Sequence, residues 1–169
     1  MILTRGKIII MVIFIAIAAG LAGLVTFSNM QAGTFEQQVV IELENIKMKS
    51  IDEQTNIMTV QVDFAVSNNA DQTLTISTID YELYADDQSL GLGFLTLADV
   101  PMVGRPGLFP HTSTTIPSEF KLTYSEEYSD IWNLLQSGGE SDGVTWTAVG
   151  SGQIESALSL FTVSFESSI

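Results

Sequence analysis

Cysteine is absent from this chain of 169 residues. Disulfide frameworks, cysteine-ligated zinc and a thiol nucleophile are therefore excluded. Histidine occurs once, at position 111, so no two-histidine metal site can be built. Basic residues are scarce: 6 Lys and Arg stand against 20 Asp and Glu, a formal net charge of −14. Duplex nucleic acid suits such a chain poorly, because phosphate binding needs a basic patch. Disorder is excluded for the chain as a whole. Hydrophobic residues make up 46% and charged residues 15%, and that much apolar surface seeks burial.

What is present is unevenly divided. Every acidic residue lies at or after Glu36, while the first 35 residues carry only Arg5 and Lys7 as charges. Ile8 to Phe27 is an uncharged run of 20 residues, IIIMVIFIAIAAGLAGLVTF. A helix of that length spans about 30 Å, the thickness of a bilayer core. Arg5 and Lys7 flank its start, and no basic residue follows until Lys47. The positive-inside rule then leaves residues 1–7 in the cytoplasm and sends the rest outward. Residues 8–27 are expected as a transmembrane signal anchor, 28–35 as a linker and 36–169 as an extracytoplasmic domain of a single-pass cell-membrane protein. Two other readings use the same residues. A cleaved secretory peptide is one, though the apolar run exceeds the usual h-region. The other is a prepilin-type leader cut after Arg5-Gly6, which resembles archaeal pilin and archaellin leaders and would make the chain a structural subunit of a surface filament. Lys7 directly after that cut is atypical.

Beyond the linker the apolar residues alternate at period two, the signal of strands. Val39, Ile41 and Leu43 alternate with Gln38, Val40, Glu42 and Glu44, and Ile46 and Met48 switch phase, which places a bulge near Asn45. Met58, Val60, Val62, Phe64 and Val66 are expected to face a core, with Thr59, Gln61 and Asp63 in water. Asn68 to Asp71 reads as a turn. Leu74 and Ile76 begin a strand that Ile79, Tyr81 and Leu83 continue one residue out of phase. Asp86-Asp87 closes a hairpin, and Leu90 to Leu97 returns, with Gly91 and Gly93 hinting at close backbone approach. Three of the four prolines fall between Asp99 and Pro110, which predicts a long exposed loop. Thr112 to Tyr124 alternates again, with Pro117 expected at an edge or bulge.

The period then changes. Ser125 is the expected N-cap, with Glu126 and Glu127 in the first turn where the helix dipole favours acids. Tyr128, Ile131, Trp132, Leu134 and Leu135 form an apolar helical face, and Ser137-Gly138-Gly139 ends it. Val144 to Val149 and Leu158 to Phe165 close the domain, and Gly150-Ser-Gly152 reads as a turn. The expected class is mainly β: an N-terminal transmembrane helix, then an antiparallel β-sandwich of about seven strands with one α-helix.

Three stretches carry a resemblance: VQVDFAVSNNADQTLTISTIDYELYADDQSLGLG, IPSEFKLTYSEEYSDIWNLLQSG and VTWTAVGSGQ. Their order resembles the second-group late embryogenesis abundant family, the water stress and hypersensitive response domain, over about 130 residues from Glu36 onward. Asn68-Asn69-Ala70 departs from the family's frequent asparagine-proline turn. The resemblance implies a fibronectin-like sandwich, a link to desiccation or osmotic stress, membrane-anchored members, and binding of lipid, membrane or protein. It implies no defined activity.

No catalytic constellation is legible, and no cofactor or metal is expected. His111 follows Pro110 in a loop, and no G-x-S-x-G elbow is present. Asp86-Asp87, Glu126-Glu127 with Asp130, and Glu140 with Asp142 lack calcium-loop spacing. Phe64, Tyr81, Trp132, Trp146, Phe161 and Phe165 are expected in the core. Leu108 and Phe109, between glycine and proline, are the candidate contact loop. The expected partners are membrane lipid, through the helix flanked by Arg5 and Lys7, and envelope proteins or lipids.

Overall fold

The computed structural model describes residues 13, 15–23, 37–97, 105–138, 143–157 and 159–169. They form two antiparallel sheets. Sheet A has the order β1 (Val39–Asp52), β2 (Ile57–Asn68), β6 (Thr112–Thr123). Sheet B has the order β4 (Gln88–Thr96), β3 (Leu74–Ala85), β7 (Trp146–Glu155), β8 (Leu160–Ser168), and a two-residue β5 (Gly107–Leu108) pairs with the start of β3. Among the described residues there are eight strands, and one 3-10 turn, Glu126–Tyr128, leads into one helix of the domain, Ser129–Gln136.

The alternation sets the layers. Met58, Val60, Val62, Phe64 and Val66 of β2 are at most 1% exposed, and their counterparts Ile116, Phe120 and Leu122 of β6 share that face. Ile76, Ile79, Tyr81 and Leu83 of β3 meet them from sheet B, with Trp146, Ala148 and Ile154 of β7. Phe64 packs edge-on against Tyr81 and Phe165, at centroid distances of 4.9 and 5.6 Å. Both phase changes are present as register shifts, between Leu43 and Asn45 and between Ile76 and Thr78. Pro117 sits on the edge strand β6, opposite Asp63 of β2, on the kind of strand where proline is tolerated.

Several local expectations change. Gly150 and Gly152 lie inside β7, not in a turn. A Cβ at 150 would fall 2.1 Å from the Asp80 carbonyl oxygen, and one at 152 would fall 2.5 Å from Cδ1 of Ile41, so both glycines mark close approach. Gly93 does the same against the ring of Tyr81, whereas Gly91 is required by its φ of +118°. Ser125 stands at the N-cap position, extended, but its side chain makes no cap bond, and its buried Oγ has no partner among the described residues. The helix is held instead by its apolar face, Ile131, Trp132 and Leu135, and by the Tyr128 hydroxyl donating to the Ser89 carbonyl at 3.2 Å. Gly138, at φ +70°, ends it as expected.

The N-terminal expectations fall largely outside the described residues: Arg5, Lys7, the linker and much of 8–27. Residues 13 and 15–23 are helical, and Ile13, Ile15, Ile17 and Leu21 are each more than half exposed. Among the described residues no helix is long and apolar enough to cross a membrane.

Candidate functional site

The sequence singled out the loop ending at Pro110, and the structure divides it. Residues 99–104 lie outside the described residues. Arg105 donates from Nη1 to Oε1 of Glu155 at 3.0 Å, which ties the loop to β7. Leu108 is fully buried, because β5 pairs with β3 at Leu74 and carries the side chain into the core. The expectation of an open tip therefore fails for Leu108. Phe109, the next residue, points the other way and is 62% exposed.

Asn68 positions this loop, and its role was hidden by its place in an apparent turn. It is the last residue of β2 and is completely buried. Its Nδ2 donates to the carbonyls of Gln72 and Leu108, both at 2.8 Å, and its Oδ1 accepts from the Ala70 N–H at 2.9 Å. One side chain thus satisfies three backbone groups from two segments 40 residues apart. Asparagine alone combines the two donors and the acceptor in this geometry. His111, at φ 55°, closes the loop at the surface, with Nε2 3.0 Å from Asp71 Oδ1.

Asp63 was expected in water and is 7% exposed. Period-two reading assigns a face but not the lateral neighbours on it. Asn45 Nδ2 at 3.3 Å, Gln61 Nε2 at 2.7 Å and Lys47 Nζ at 3.7 Å cover the carboxylate.

The shifted ionisable groups are held by structure and not gathered around one point. Tyr81 is raised by burial, partly offset by its bond to Ser118. Glu82 is lowered by hydrogen bonds from Ser89 and Tyr84, Asp52 by Thr55 and Gln54, and Glu119 by Lys49. Among the described residues no three His, Asp or Glu side chains converge as a metal set would. Open grooves among the described residues include two on the sandwich. One of about 370 Å³ follows the seam between β1 and β8, from Val39 to Glu42 and Val163 to Ser167. The other, about 290 Å³, lies on sheet B between Asp86, Asp87, Tyr84, Val149 and Glu166.

No family model matches the chain. No curated protein matches it either. Solved structures that match part of this chain include a protein from Archaeoglobus fulgidus, 13% identical, covering 76% of this chain and 94% of its own length at a TM-score of 0.46. A protein from Arabidopsis thaliana is 15% identical over 76% of this chain and 79% of its own, at 0.45. A protein described as late embryogenesis abundant is 14% identical over 91% of this chain and 87% of its own, at 0.40. Likenesses at this level transfer no ligand or activity.

Proposed function

We propose that the chain is a non-enzymatic sandwich of the water-stress type, held at the cell membrane by its N-terminal apolar segment. The acidic domain would then stand on the extracytoplasmic side and bind or protect membrane or envelope components. The observation that carries this reading is the exposed apolar helix. Ile13, Ile15, Ile17 and Leu21 are each more than half exposed, while the sandwich fills its core from its own strands and helix. Water penalises such surface by about 25 cal/mol per Å², so the segment calls for an apolar environment. The uncharged run around it, Ile8 to Phe27, has the length a bilayer needs. The order of elements that resembles the late embryogenesis abundant family supplies the stress role.

A filament subunit is the second reading. Gly20 and Gly23 lie on the same exposed helix, and small residues let helices approach closely. Two measurements on native membranes decide between them. Retention after an alkaline carbonate wash, with an intact N-terminus by mass spectrometry, supports the anchor. Release by the wash contradicts it. A mature start at Lys7 together with pelletable filaments contradicts it in favour of the filament.

A further inference from the structure

The few basic residues are not spread over the sandwich. Lys47 and Lys49 lie on β1 and Lys121 on β6, all in sheet A, and Arg105 is engaged by Glu155. The four long strands of sheet B contain no Lys or Arg. Their outer face instead carries an ordered mixture. Leu92 of β4, Glu82 of β3, Val149 of β7 and Glu166 of β8 are direct neighbours in one row across the sheet. Phe94, Asp80, Ser151 and Ser164 form the next row. Leu92 is 83% exposed and Phe94 57%. Both point outward because Gly93 between them must face the ring of Tyr81. The acid-lined groove at Asp86, Asp87 and Glu166 continues the same face.

We propose that this face of sheet B is a docking surface for a cationic, amphipathic segment of a partner protein. Its apolar side chains would cover Leu92 and Phe94, and its basic ones would meet Asp80, Glu82 and Glu166. The proposal deepens the binding role proposed above and rests on it, but uses none of the anchor. Charge complementarity selects the occupant. An anionic lipid surface is repelled by these carboxylates, and a second copy of a chain with net charge −14 is repelled as well. Exposed apolar residues on an edge strand otherwise invite adventitious pairing, and a specific partner gives them a use.

The test uses the full chain in an uncharged detergent, which holds it in solution whether or not it is anchored. The probe is a short fluorescent peptide of alternating lysine and valine, read by polarisation, with detergent alone as blank. Saturable binding that weakens as salt rises is expected. Leu92→Ser with Phe94→Ser should weaken it at least about tenfold, with the melting temperature unchanged. Asp80→Asn with Glu166→Gln should weaken it and flatten its salt dependence, while Glu44→Gln on sheet A leaves it unchanged. Should the apolar double variant not fold, Leu92→Ala alone carries the same expectation. Equal binding of an alternating glutamate–valine peptide would overturn the proposal. So would equal losses from the sheet A and sheet B charge variants, unchanged binding without Leu92 and Phe94, or a wild-type dimer that dissolves in the Leu92→Ser, Phe94→Ser variant. A failed anchor test would leave these outcomes unaffected, so the two readings fail separately.

Discussion

The Tyr81 hydroxyl donates to Oγ of Ser118 at 3.0 Å across the interior, joining β3 of sheet B to β6 of sheet A. Both residues are at most 2% exposed. The same phenol ring lies over Gly93, where a Cβ would fall 2.2 Å from Cζ. Tyr81 therefore fixes how the two sheets face each other and which residue β4 can place beneath it. Tyr81→Phe should cost about 1–2 kcal/mol, because Ser118 loses its partner in a buried site. Gly93→Ala should cost about 3 kcal/mol in the wild type and much less in a Tyr81→Ala background. Urea melts of the double-mutant cycle check this. Additive effects would mean the ring does not enforce the glycine.

Tyr81 also sets an alkaline limit. Its folded pKa is raised by burial above the ordinary tyrosine value of 10.0. A raised pKa contributes stability that is fully present below the unfolded value and is lost as pH rises through the folded one. The wild-type advantage over Tyr81→Phe should therefore be constant at neutral pH and shrink above about pH 10. Thermal melts of both proteins along that range measure it. A parallel fall in both would show that Tyr81 is not the group responsible.

The two glycines inside β7 should respond differently to alanine. At Gly150 the obstacle is backbone, the Asp80 carbonyl oxygen, which cannot move aside. At Gly152 it is the end of the Ile41 side chain. Gly150→Ala is expected to cost about 3 kcal/mol and Gly152→Ala about 1 kcal/mol, with Ile41→Val relieving only the second. Chemical denaturation of the four variants decides it, and equal costs would contradict the register Tyr81 to Gly150.

The loop that carries Phe109 depends on Asn68. Asn68→Ala leaves the carbonyls of Gln72 and Leu108 and the Ala70 N–H without their buried partner. A loss of about 3 kcal/mol is expected, and Asn68→Asp should not rescue it, since it offers no donor. Leu108→Ser should cost a similar amount, whereas Phe109→Ser should change stability by less than about 0.5 kcal/mol. Thermal melts report all four. Equal damage at 108 and 109 would contradict the division of this loop.

What was legible in the sequence follows from what periodicity can carry. The alternation of Met58 to Val66 gave a face, and the slips at Asn45 and after Ile76 showed as broken phase, because a bulge moves every later side chain to the other side. Glycine was ambiguous: Gly93 and Gly150-Ser-Gly152 have the same composition signal, and only the opposing strand tells close approach from a turn. Leu108 and Phe109 were inseparable for a similar reason, since β5 takes its direction from a partner strand 34 residues earlier, Leu74 to Leu108. Asn68 and Asp63 escape such a reading because part of what surrounds them, Leu108 for the first and Asn45 and Lys47 for the second, comes from other segments. The outer face of sheet B was hidden within Leu90 to Leu97, a nearly continuous apolar run in which no alternation distinguishes Leu92 from Leu90.

In the proposed topology the sandwich stands outside a membrane with residues 1–7 inside. The absence of cysteine makes single-cysteine labelling direct. Thr4→Cys and Phe109→Cys variants are treated with a membrane-impermeant maleimide in intact cells and after lysis. Phe109→Cys should label fully in intact cells and Thr4→Cys only after lysis. Labelling of Thr4→Cys in intact cells with Phe109→Cys protected until lysis would contradict it.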